Sequence, residues 1–76
     1  MALRYRILAG THEQARHLAD RMRLDIAEWG YVPSPESLLG QHNGVMLCYG
    51  TWRHRPDLTE VMTRARVNEF SLLEVS

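Results

Sequence analysis

The sequence predicts an α/β domain built as a small doubly wound, mostly parallel four-stranded sheet in the order 2-1-3-4, with two main helices and one short one. Three observations predict it. A strand-like run ending in Gly-Thr occurs twice, at Ile7-Leu8-Ala9-Gly10-Thr11 and at Leu47-Cys48-Tyr49-Gly50-Thr51, and each leads toward an amphipathic segment. Val45-Met46-Leu47-Cys48-Tyr49 is an unbroken apolar run, as found in strands covered on both faces. Strand-like and helix-like segments alternate along the chain, and right-handed crossovers then favour a doubly wound sheet. The competing arrangement ignores the short middle helix and pairs the second and third strands antiparallel, giving a ferredoxin-like βαββαβ pattern. The unbroken third strand argues for the parallel form.

The first strand covers Leu3 to Ala9, where Leu3, Tyr5, Ile7 and Ala9 alternate with Arg4, Arg6 and Leu8. Thr11 stands three residues before Gln14 in a capping-box pattern, and Ala15, Leu18, Ala19 and Met22 follow at helical spacing, so a helix is expected from about His12 to Arg23. Trp29-Gly30-Tyr31-Val32 reads as a short strand stopped by Pro33, and therefore as an edge. Ser34 at the N-cap, Pro35 at the first helical position and Gly40 past the end mark a helix of one or two turns. After the turn chemistry of Gln41-His42-Asn43-Gly44 comes the central third strand. Pro56 then opens a helix with an apolar stripe of Leu58, Val61, Met62 and Ala65, acidic Asp57 and Glu60 near its positive end, and Asn68 as its stop. Phe70, Leu72, Leu73 and Val75 form the last strand, broken by Ser71 and Glu74 as at a half-exposed edge. No linker or low-complexity stretch divides the chain, so residues 1–76 are read as one domain.

A chain of 76 residues buries only about 60% of its unfolded surface and is correspondingly marginal. Nine basic and nine acidic side chains cancel, which gives no field to hold a polyanion or an anionic membrane and little repulsion against self-association. General nucleic-acid and membrane binding are thus disfavoured, and a homo-oligomer, dimer or larger, is expected. All nine basic residues are Arg, which reads as codon bias of a GC-rich genome more than as selection of guanidinium forks. Cys48 alone cannot form an internal disulfide, no apolar stretch approaches the ~20 residues of a membrane span, and the first residues lack a signal-peptide core. The expectation is a soluble, cytoplasmic protein.

If the first and third strands are neighbours, their carboxyl ends form the switch point at which open α/β sheets place ligands. Gly10, Thr11 and His12 would then face Gly50, Thr51 and Trp52. Amides at two helix starts and the guanidinium groups of Arg53 and Arg55 could receive an anion, and Trp52 could stack on a flat group. Plain turn chemistry explains the same residues, since a strand-to-helix bend wants Gly and a cap wants Thr. The glycine fingerprint of dinucleotide folds and the Walker pattern are both missing from the sequence, which disfavours those enzymes.

Catalysis has no advocate. His12, His17, His42 and His54 show no metal-ligand spacing, and no cofactor is implied. Cys48 reads as a small core hydrophobe, and Asp57 beside His54 reads first as a helix-start acid rather than half of an acid–base pair. Trp29, Tyr31 and Trp52 lie on an edge strand or the loop facing it, where aromatics either anchor an interface or complete a small core.

A resemblance rests on Tyr5-Arg6-Ile7-Leu8-Ala9-Gly10-Thr11, Gln14-Ala15-Arg16, Trp29-Gly30-Tyr31-Val32, Leu39-Gly40, and Gly50-Thr51-Trp52 with Arg55-Pro56-Asp57. Over nearly its whole length the chain resembles the small α/β, Rossmann-like proteins of unknown function encoded by bacteriophages of GC-rich actinobacteria. The shared motifs are turns and caps, which name no activity. The resemblance implies a non-catalytic phage accessory protein of the host cytoplasm that self-associates, binds a host protein and inhibits host growth. The alternative is a small-ligand protein that holds a nucleotide or phosphate between the two Gly-Thr turns.

Overall fold

The computed structural model describes residues 5–75. Four strands, β1 (Tyr5–Ala9), β2 (Trp29–Tyr31), β3 (Val45–Tyr49) and β4 (Ser71–Glu74), form one sheet in the order β2-β1-β3-β4. Every pairing is parallel, with Tyr5 beside both Trp29 and Val45, and Val45 beside Ser71. This is the doubly wound arrangement expected from the unbroken apolar third strand. The ferredoxin-like alternative is excluded, because β2 and β3 are separated by β1. Leu3 and Arg4 of the expected first strand lie outside the described residues.

Two helices cover the two faces. Helix α1 (His12–Arg21) lays Ala15, Leu18 and Ala19 on Ile7, Ala9 and Leu47, while α2 (Leu58–Val67) lays Val61 and Ala65 on the opposite face with Leu8, Met46 and Cys48. The alternation of strand side chains divides the core into these two layers. Both faces of β1 and β3 are therefore covered, which explains why β3 carries no charged residue at all.

Each helix stops in the same way. At the end of α1 the Leu24 amide donates to the Ala19 carbonyl, and Arg23 takes φ 55°; at the end of α2 the Phe70 amide donates to the Ala65 carbonyl, and Glu69 takes φ 60°. The left-handed residue closes a Schellman-type turn that satisfies the last carbonyls. Helix α1 thus ends two residues before the expected Arg23. The middle segment is a 3-10 turn, Pro35–Leu38, with Leu38 fully buried and held from below by the Asn68 side chain, whose Nδ2 donates to the Leu38 carbonyl at 2.8 Å. A second 3-10 turn, Trp52–His54, intervenes before α2, which starts at Leu58 with Asp57 at its N-cap rather than at Pro56. Proline disfavours helical conformation in the residue before it, and Arg55, extended at φ −68° and ψ 134°, keeps the 3-10 turn from running on into α2. Among the described residues no helix is long and apolar enough to cross a membrane.

Candidate functional site

The carboxyl ends of β1 and β3 lie side by side, with Ala9 beside Tyr49, so the two Gly-Thr turns meet at the switch point. Their approach is close. A Cβ on Gly10 would sit 1.8 Å from Thr51 Oγ1, so only glycine fits there. Gly50 adopts φ 65°, and a Cβ there would fall 2.3 Å from Gln14 Oε1.

That Gln14 oxygen organises the crossing. It accepts from the Gly10 amide at 3.0 Å, from the Thr51 amide at 3.0 Å and from Thr51 Oγ1 at 3.2 Å. Donors from two strand-to-helix turns converge on one acceptor, and the acceptor is supplied by the protein. Thr11 Oγ1 in turn accepts from the Gln14 amide at 3.1 Å, which is half of the expected capping box. The other half goes past the helix to the neighbouring turn.

Arg55 is the second organiser. Nε and Nη2 donate to the two oxygens of Asp57, each at 2.9 Å; Nη1 donates to the carbonyls of Ala9 at 3.1 Å and Val32 at 2.6 Å; Nη2 also donates to the Pro33 carbonyl at 3.2 Å. A guanidinium has five N–H donors, and here each has a partner. The side chain is only 6% exposed. It ties the ends of β1 and β2 to the start of α2 and presents no free fork to an anion. Its hydrogen bonds, and then its charge, hold the Asp57 carboxyl below the usual carboxylate range. Both Asp57 oxygens are thereby engaged by Arg55, and among the described residues no hydrogen bond joins the carboxylate to His54.

The remaining expected residues disperse. His12 turns away from Trp52 and lies against the aromatic edge of β2, its ring 6.4 Å from Trp29 and 5.3 Å from Tyr31. Trp52 packs on the α2 layer beside Leu58 and Met62, and Trp29 and Tyr31 pack on the α1 layer, so all three aromatics are half-buried. Arg53 lies over the Trp52 ring at 5.1 Å and bridges to Glu74 of β4 at 2.6 Å. The structure brings Gly10, Thr51 and Arg55 together around a hollow of about 380 Å³ completed by Tyr31, Pro33, His54, Pro56 and Asp57. Pro33 and Tyr31 reach it because β2 ends at the same edge, which the spacing of the Gly-Thr turns did not reveal.

Cys48 is buried in the sheet, and burial, reinforced by Glu74, pushes its thiol up to about 11. Among the described residues no three His, Cys, Asp or Glu side chains converge as a metal site would require. Comparison with protein-family models, with curated proteins and with solved structures gave no match in any of the three.

Proposed function

We propose that this chain is a non-catalytic interaction module that associates with its own kind through an open edge of its sheet. One observation carries the reading: all four residues of β4 are exposed, with Leu72 at 49% and Leu73 at 54%, on a strand paired along one side only. Exposed apolar edges invite pairing with another chain. The polar groups at the switch point support the same reading, because Gln14 Oε1 already accepts from the Gly10 and Thr51 amides, and the Val32 carbonyl and Asp57 carboxylate already accept from the Arg55 guanidinium, the donors that an anion would need. Sedimentation equilibrium tests it, with a mass that rises toward twice that of the chain as concentration increases. A single chain mass at every concentration rejects it. The phage resemblance adds a host protein as the second partner, and a tagged bait that recovers only its own chain from host lysate removes that addition.

The second reading, a small-ligand protein, is favoured by the hollow beside Tyr31 and Asp57. A ligand present at a hundred times its dissociation constant adds about 2.7 kcal/mol, or about 10 to 20 °C in so small a domain. A saturable shift of that size with one nucleotide, phosphate or sulfate favours this reading; a flat panel leaves self-association in front.

A further inference from the structure

The two edges of the sheet are not equivalent, and hydrogen-bond direction shows it. The Ser71 amide donates to the Gly44 carbonyl and the Val75 amide to the Cys48 carbonyl, so odd-numbered residues of β4 face β3. In a parallel ladder the peptide groups of the residues between them, Leu72 and Glu74, point outward. On β2, the Tyr5 amide donates to Glu28 and the Val32 amide to Ile7, which leaves Trp29 and Tyr31 facing outward. There the Tyr31 carbonyl is already taken by the Arg6 guanidinium at 2.9 Å, the strand is three residues long, and Pro33 follows. Arg6 crosses at the level of Gly30, its register partner, which has no side chain in the way. A bound carbonyl and a proline are devices that blunt an edge. β4 is interrupted by no proline, and its one charged side chain, Glu74, is paired with Arg53.

We infer that a second copy of this chain pairs with β4 antiparallel, about a two-fold axis passing through Leu73, so that two four-stranded sheets join into one of eight strands. This deepens the self-association proposed above and rests on it. The register follows from the outward groups. A two-fold axis perpendicular to the sheet keeps each face on its own side, so paired residues must share parity. With the axis at Leu73, Leu72 of each copy lies opposite Glu74 of the other, and both are outward-facing residues that exchange two hydrogen bonds per pair. Four bonds form, using the outward N–H and C=O groups of Leu72 and Glu74 in both copies. Leu73 meets its own copy across the axis as the close, non-hydrogen-bonded pair, where Cα atoms stand ~4.5 Å apart.

Side chains agree with this register. Leu73 is the register partner of Leu47 and lies on the face that α1 covers chiefly over β1, β2 and β3. It is half-exposed alone and covered when its copy arrives. On the other face, Glu74 of each copy is already neutralised by Arg53 at 2.6 Å, and the whole chain carries no net formal charge. The two edges therefore meet without like-charge repulsion. Strands of four residues give a contact toward the small end of the range for stable complexes, so the dimer is reversible and concentration-dependent.

Cysteine cross-linking tests the register. Leu73→Cys, Leu72→Cys, Glu74→Cys and, at the opposite edge, Ile26→Cys are each oxidised at a concentration where sedimentation shows dimer, with the wild-type chain and its buried Cys48 as control. All four positions are exposed, and circular dichroism confirms that each variant is folded. The register predicts that the Leu73→Cys variant links at least tenfold faster than the Leu72→Cys or Glu74→Cys variant, and that Leu73→Arg returns the protein to monomer while Ile26→Arg does not. Dimer in sedimentation with the Ile26→Cys variant linking fastest, or with the Leu73→Cys variant no faster than its two neighbours, overturns the β4 register and leaves self-association standing. Monomer at all concentrations overturns both.

Discussion

Arg55 shows how far a side chain's role depends on what reaches it. Its sequence context suggested an anion-binding fork, yet its partners are carbonyls contributed by Ala9, Val32 and Pro33, which are distant in sequence. Removing it strands those acceptors and leaves Asp57 without its cation. Arg55→Ala is expected to cost about 3 to 5 kcal/mol, and Arg55→Lys to recover only part because an ammonium has three donors and no planar fork; urea denaturation measures both. The Asp57 carboxyl, depressed chiefly by hydrogen bonding from Arg55, gives the fold a defined acid limit. A lowered folded pKa contributes stability that is fully present above the unfolded value of about 3.9 and is lost as pH falls through the folded value. Stability should therefore drop below about pH 4, and Asp57→Asn should remove that part of the drop in acid-titrated melting curves. Gln14 was equally illegible. Its spacing from Thr11 marked a helix cap, but its oxygen serves a turn formed by residues far along the chain, which no local pattern encodes. Cys48, by contrast, was readable from its apolar neighbours. With its thiol pushed up to about 11, it should react with a thiol reagent in mildly alkaline buffer no faster than the protein opens, and rapid labelling of the folded chain would contradict its burial.

Elements were more legible than contacts. β3 stood out as central because its five residues are all apolar or aromatic, and β2 as an edge because Pro33 stops it. The two misplaced boundaries, at Arg23 and at Pro56, have different causes. The helical pattern of α1 continues in the sequence past the point at which left-handed Arg23 closes the hydrogen-bond ladder, whereas at Pro56 the chain makes one more turn, with Asp57 at the N-cap, before α2 begins. Glu69 at φ 60° bears a Cβ in a conformation that suits glycine. Glu69→Gly is expected to raise stability by about 0.5 to 1 kcal/mol, read as a shift in the denaturation midpoint. The opposite holds where the turns cross. Gly10→Ala drives a Cβ into Thr51 Oγ1, and Thr51→Gly should relieve much of that loss, so the two substitutions are non-additive in a double-mutant cycle.

At the scale of the molecule, the sheet order follows from patterning, while the proposed function rests on what the pattern leaves uncovered. Helix α1 and helix α2 are each ten residues long and shield the middle of the sheet. β4 is left exposed on both faces, and the mixture of Phe70, Leu72, Leu73 and Val75 with Ser71 and Glu74 already marked it as half-exposed. What the sequence did not disclose is the asymmetry between edges, because the Arg6 contact that closes β2 joins residues far apart in the chain. In the proposed dimer β4 is the edge that pairs. Amide hydrogen exchange at low and high protein concentration tests it most directly. Pairing predicts that the Leu72 and Glu74 amides exchange freely when dilute and become protected as concentration rises, with Trp29 and Tyr31 unchanged. Protection that appears on β2 instead, or on neither edge while the protein is dimeric, would contradict it.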